Sequence, residues 1–200
     1  MPNATHHVDA VLSLSWNRRA RNMLASASAD TTVKIWDLSR PTSGDACAAL
    51  RSFGGHADKV QSVAWRVSAP GLSAGAENPA VLLTGSYDKT IRIFDTRMPE
   101  QALVAGIPAD VEAVRWNGWK DNAFMVALET GVVQGFDARQ LGSAPSNSSA
   151  LFTLMAHDSA CTSLDISPHI PGCLLTAGTD RQVKLWSIDD EQDVKPRSMN

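Results

Sequence analysis

Long apolar runs are missing from this 200-residue chain: none approaches the ~18 residues a membrane-spanning helix needs. The start lacks a basic segment followed by an apolar core, and Asp9 interrupts the only candidate, so a secretory signal is not expected. Cysteine is scarce. Cys47, Cys161 and Cys173 are odd in number, widely spaced and form no Cys-x-x-Cys pair. They read as reduced apolar fillers of a soluble intracellular protein, with no zinc or other metal site. A dominant charge sign is also absent. With 18 basic and 21 acidic residues the net charge is −3, which gives no strong general field for nucleic acid.

What the chain does have is repetition. Leu24-Ala-Ser-Ala-Ser-Ala-Asp30 leads to Thr-Val-Lys-Ile-Trp36-Asp37. Leu83-Thr-Gly-Ser-Tyr-Asp88 leads to Thr-Ile-Arg-Ile-Phe94-Asp95, and Leu175-Thr-Ala-Gly-Thr-Asp180 leads to Val-Lys-Leu-Trp186. In each copy an aspartate stands six residues before an aromatic. Alternating apolar and polar residues after the aspartate predict a strand with one buried face. The aspartate suits a tight turn because its carboxylate accepts from nearby backbone N–H groups.

A second strand pattern precedes each hairpin: Val11 to Trp16, Val60 to Trp65, Val111 to Trp116 and Cys161 to Ile166. Four residues before it stand His7, His56 and His157, but Ile107 in the third copy. Such a period of forty-odd residues means stacked repeats, which lowers the weight of any one copy as a catalytic site.

Histidine, hydroxyl, aspartate and tryptophan in this order resemble the WD-repeat β-propellers, over residues 6–188. The resemblance implies an all-β chain with repeats near 7–54, 55–106, 107–155 and 156–188, followed by a charged tail, 189–200. It also implies a structural hydrogen-bond network in three copies: His7, Ser26, Asp30 and Trp36; His56, Thr84 and Asp88, with Phe94 lacking the final N–H; and His157, Thr176, Asp180 and Trp186. The third repeat has Ile107, Val126, Thr130 and Phe136 instead, so packing alone is expected to hold it.

Propellers carry about 4–8 blades of four strands. Segments Cys47 to Phe53, Gln101 to Gly106 and Ser149 to Leu154 supply fourth strands for three blades. The run after Trp186 is charged and supplies none, so the last blade is expected to be incomplete. The chain then reads as about four blades of a larger, seven-bladed propeller with open edges. The excess lengths between aromatic markers fall in loops, Ala69 to Pro79 and Arg139 to Ser149, rich in turn and breaker residues.

Several residue groups are candidates for function. His56, Asp88 and Thr84 match a catalytic triad in composition, but the set recurs, which favours a structural role, and no catalytic residue is assigned. Tyr87, Lys89, Thr179 and Arg181, with Ala29 and Thr31, flank the turn aspartates and are a candidate partner-binding face; isolated exposed aromatics are also common on surfaces. Arg18, Arg19 and Arg21 form a short basic cluster that can contact RNA phosphates or serve as a solvated loop. Asp95-Thr-Arg97 and Asp137-Ala-Arg139 resemble the Trp-Asp-x-Arg element of cullin-type ubiquitin-ligase receptors, with Arg97 and Arg139 as adaptor contacts. Read simply, each is an arginine at a strand end.

A narrower resemblance is to the periodic tryptophan protein 1 family. It is carried by His7 to Asn17, Arg21 to Asp30, Asp58 to Gln61, Gly85 to Lys89, Arg115 to Asn117, Leu128 to Asp137 and Gly172 to Ala177. It implies a non-catalytic protein-binding scaffold of the nucleus and nucleolus, with no cofactor, membrane or small-molecule substrate. Its partners would be a pre-ribosomal assembly in rRNA processing and large-subunit assembly. The alternative is a substrate receptor of a cullin-type ubiquitin ligase, and behind it a chromatin- or histone-binding regulator of transcription.

Overall fold

Alternation in the sequence becomes four antiparallel sheets in the computed structural model, which describes residues 5–40, 48–66, 80–98, 101–142, 150–190 and 193–196. Residues 189–190 and 193–196 enter through their backbone pairing alone. The first sheet holds β1 (Val11–Trp16), β2 (Met23–Ser28), β3 (Val33–Asp37) and β4 (Ala49–Phe53). The second holds β5 (Val60–Trp65), β6 (Val81–Ser86), β7 (Thr90–Asp95) and β8 (Ala102–Gly106). The third holds β9 (Val111–Trp116), β10 (Ala123–Leu128), β11 (Val132–Asp137) and β12 (Phe152–Met155). The fourth holds β13 (Cys161–Ile166), β14 (Cys173–Gly178), β15 (Val183–Asp190) and β16 (Asp193–Pro196). Within each sheet the strands pair in sequence order, as in a meander.

β16 corrects one expectation. The charged tail does pair, with Ser187 opposite Lys195 and Ile188 opposite Val194, and so completes a four-stranded fourth blade. An outermost strand has one free edge and needs little apolar content, and it tolerates Pro196, which has no N–H to donate. The three other expected outer strands form at Ala49–Phe53, Ala102–Gly106 and Phe152–Met155, while Cys47 and Ser149 lie outside the described residues. So does the insertion Ala69 to Pro79; of Arg139 to Ser149, the described part includes the end of a short 3-10 turn, Ala138–Gln140.

Blades stack face to face through three apolar clusters. Ala25, Val33 and Ile35 of the first blade meet Val63, Leu82 and Phe94 of the second. Leu83, Ile91 and Ile93 meet Val111, Val114 and Phe124 of the third. Met125, Ala127 and Val133 meet Leu164, Leu174 and Trp186 of the fourth. The innermost strands are also tied by hydroxyls: the Val63 and Trp65 N–H groups donate to Ser13 and Ser15 Oγ, and the Val114 N–H to Ser62 Oγ. Each inner strand carries a register shift near its start, passing over Leu12, Gln61, Glu112 and Thr162. Such bulges bend the strand and re-aim a side chain.

Among the described residues, no strand packs on the two end faces of the stack. Val63, Val114 and Leu164 are buried by a preceding blade, yet the equivalent Leu14 is 63% exposed. Val33, Ile91 and Val133 are buried by a following blade, yet the equivalent Val183 is 64% exposed. Burying one such side chain is worth ~1.5–3 kcal/mol, so each face keeps apolar surface that its inner equivalents bury.

Candidate functional site

Three copies of one polar chain sit between the turn and the second strand of their blades. In the first, His7 Nδ1 lies 2.8 Å from Asp30 and Nε2 2.7 Å from Ser26 Oγ, which accepts from Trp36 Nε1–H at 2.8 Å. In the fourth, His157 Nδ1 lies 2.9 Å from Asp180 and Nε2 2.8 Å from Thr176 Oγ1, which accepts from Trp186 Nε1–H at 2.9 Å. In the second, His56 meets Asp88 at 2.9 Å and Thr84 at 2.8 Å. Phe94 offers no N–H, and the Thr84 hydroxyl lies 3.4 Å from the Arg92 carbonyl instead. A single neutral tautomer serves all three: Nδ1–H donates to the carboxylate while Nε2 accepts from the hydroxyl.

Each carboxylate does more than hold its histidine. Asp88 accepts from the Ala57 and Thr90 N–H groups and from Thr90 Oγ1. Burial opposes its ionisation, but these bonds and the His56 bond prevail and hold its pKa down at about 2. Asp30 and Asp180 are likewise pulled below the ordinary carboxylate range against the effect of burial. Burial pushes His56 down, with Asp88 opposing, so its imidazole stays neutral further into acid. The residue after each aspartate takes a left-handed conformation: Thr31 at φ 65°, Lys89 at 61° and Arg181 at 66°. In the third blade that position is Gly131, at φ 81°; Ile107 and Val126 are buried where the other blades carry a histidine and a hydroxyl, and Phe136, like Phe94, replaces the tryptophan. There Phe136 stacks on Phe124 at 5.5 Å.

This geometry does not equip Thr84 as a nucleophile. Its side chain is fully buried, so a substrate has no path to its hydroxyl. Gly71-Leu-Ser-Ala-Gly75 has the spacing of a nucleophile elbow and lies outside the described residues. Among the described residues no group of three or more His, Cys, Asp or Glu could hold a metal ion. Cys161 and Cys173 are buried free thiols, and burial pushes Cys161 up to about 11; Cys47 lies outside the described residues.

The candidate partner-binding residues sit at the turn end of the blades, in different surroundings. Tyr87 is tied down: its hydroxyl donates to Glu112 and Lys59 Nζ stands 3.6 Å from its ring centroid. Burial and that carboxylate push the Tyr87 hydroxyl pKa up. Lys89, Thr179 and Arg181 are exposed, while Ala29 and Thr31 are half-buried. Arg97 and Arg139 clamp the aspartate two residues before them, Arg97 onto Asp95 at 2.7 Å and Arg139 onto Asp137 at 2.5 Å, with both guanidinium groups largely exposed.

Arg18, Arg19 and Arg21 lie exposed at the opposite end, in the loop joining β1 to β2. Asn17 Oδ1 pins this loop by accepting from the Arg19 and Ala20 N–H groups. The Arg21 carbonyl accepts from Trp16 Nε1–H at 2.9 Å. Trp119, which the repeat pattern does not mark, donates to the Ser167 carbonyl of the next blade at 2.7 Å. Its signal in the sequence is only a tryptophan where the other loops have none.

The model of the WD domain, G-beta repeat, matches residues 2–37, 47–95 and 148–187. The chain belongs to the WD40-repeat family. The match passes over the third blade, the one whose histidine network is replaced by apolar packing. The chain is similar to Periodic tryptophan protein 1 of Saccharomyces cerevisiae, 34% identical over 204 residues that cover 98% of this chain and 32% of the relative. A Periodic tryptophan protein 1 homolog of Drosophila melanogaster is 28% identical over 187 residues, covering 92% of this chain and 36% of the relative. Ribosome biogenesis protein WDR12 homolog of Nematostella vectensis is 42% identical over 78 residues, covering 39% of this chain and 18% of the relative. The chain therefore spans about a third of the length of the first two relatives.

Proposed function

We propose that this WD40 chain is a non-catalytic protein-binding scaffold of ribosome biogenesis, acting in rRNA processing and large-subunit assembly in the nucleus and nucleolus. The observation that carries the reading is similarity to Periodic tryptophan protein 1 along 98% of the chain. A shorter segment is similar to a protein named for ribosome biogenesis. The buried histidine networks support a scaffold, because they commit the recurring His, hydroxyl and Asp sets to holding turns to strands. Partners then meet the loops at the two blade ends, where Arg18, Arg19 and Arg21 read first as a solvated basic loop and only second as an RNA contact.

Affinity purification of the tagged chain from cell extract, with identification of the recovered proteins, tests this. Large-subunit precursors are the expected recovery. Recovery of a cullin adaptor or of histones in their place would contradict it, as would a cytosolic location with none of the three.

A further inference from the structure

The inner strands β1, β5, β9 and β13 all end at one cavity of about 300 Å³, contributing Trp16, Trp65, Trp116 and Ile166. Trp65 is 3% exposed, and its Nε1–H has no acceptor among the described residues. The other indoles at this cavity are satisfied: Trp16 by the Arg21 carbonyl, Trp119 by the Ser167 carbonyl, and Trp116 by the Ala64 carbonyl at 3.3 Å. A buried donor without an acceptor is costly and marks a place where an acceptor from elsewhere is favoured.

Charge points the same way. Arg18 and Arg115 line the cavity, and the Arg66 guanidinium stands 5.4 Å from the Trp116 ring centroid. The loops at the opposite end of the blades carry Asp9, Asp58, Asp110, Glu129 and Asp158 besides the turn aspartates, against Lys59, Lys89 and Arg181, while at the cavity end the arginines outnumber Asp37, Asp95, Asp121, Asp137 and Asp165. The small net charge therefore hides a basic end and an acidic end. A negative ligand is drawn to the first and repelled from the second.

We propose that this cavity binds an acidic peptide segment. One carboxylate side chain enters to accept from Trp65 Nε1–H, with Arg18 and Arg115 beside it. The proposal rests on the scaffold reading and names the partner class of one surface. A peptide is favoured over RNA for two reasons. Trp65 and Trp116 are buried, which leaves Trp16, 55% exposed, as the one largely open ring at the cavity, whereas single-stranded RNA stacks its bases on successive aromatic platforms. Asp165, 3.9 Å from Arg115 and mostly exposed, opposes a continuous phosphate chain at the rim but leaves room for a single carboxylate on the arginine side.

The test is fluorescence anisotropy of the full chain against three probes. They are a short labelled peptide rich in Asp and Glu, its Asn/Gln counterpart, and an oligouridylate of similar length. The acidic peptide should bind, and more weakly as salt rises. Trp65→Phe, which keeps the ring and removes the N–H, should weaken it by about tenfold, the worth of one charge-assisted hydrogen bond. Arg18→Ala, in an exposed loop, should weaken binding and flatten its salt dependence. That variant decides the matter if Trp65→Phe does not fold. Equal binding of the Asn/Gln peptide, tighter binding of the oligouridylate, or full affinity in both variants overturns the proposal. A chain that recovers pre-ribosomal proteins yet ignores the acidic peptide overturns the cavity proposal alone. A chain that binds the peptide yet recovers none overturns the ribosomal reading alone.

Discussion

Trp186 donates its indole N–H to Thr176 Oγ1 at 2.9 Å, the last link of a chain that begins at Asp180 and passes through His157. Phe94 stands at the same point of the second blade and has nothing to donate. Trp186→Phe should therefore cost about 1 kcal/mol, the usual net worth of one hydrogen bond, read as a lower urea midpoint with unchanged slope. Phe94→Leu touches no such bond and should cost only packing, so combining the two changes should give additive losses.

Acid should weaken the blades in two stages. His56 has a folded pKa below its unfolded value of 6.5, so the unfolded chain binds more protons as pH falls through that region. Its contribution is complete above 6.5 and declines below it. Asp88, held at about 2 against an ordinary 3.8, contributes fully above 3.8 and loses that contribution as pH falls towards 2. Melting temperatures measured across this range should fall in both windows. His56→Gln should remove most of the first decline.

Turn conformation makes opposite forecasts for two neighbouring blades. Lys89 sits at φ 61°, where glycine is unstrained, so Lys89→Gly should stabilise by about 0.5–1 kcal/mol. Gly131 sits at φ 81°, and a Cβ there would stand 2.1 Å from the His157 carbonyl oxygen. Gly131→Ala should destabilise by more than about 2 kcal/mol, because the clash is with backbone of the next blade. Equilibrium denaturation of the two variants checks both signs.

Equivalent positions on inner strands should respond in contrast. Val114→Lys places an unpaired charge in a sealed interface and should cost more than about 4 kcal/mol. Leu14→Lys lies on an uncovered face and should change stability by less than about 0.5 kcal/mol while reducing self-association, measured by light scattering.

Much of this was legible in the sequence because the repeat states it several times over. Period-two alternation and a fixed aspartate-to-aromatic spacing place the strands, and the triplicated His, hydroxyl and Asp positions fall within hydrogen-bonding reach of one another. The strand at Asp193–Pro196 was not legible, since an outer strand draws its stability from backbone pairing and leaves little apolar signature. Tyr87 read as a free contact residue, and only the fold brings Glu112 from the next blade onto its hydroxyl. The cavity at Trp65 was equally hidden. Its walls come from four strands separated by about fifty residues each, and charge segregation between blade ends vanishes in a composition total.

The central claim is that the repeated histidine sets hold the blades and that binding happens elsewhere. Thr84→Val tests it most directly, because it keeps the shape and removes only the hydroxyl. Stability and recovery of partner proteins should be measured on the same preparation. The account predicts a loss of about 1–2 kcal/mol in stability with partner recovery unchanged at temperatures where the chain is folded. Unchanged stability together with lost partner recovery or lost cellular function would contradict it.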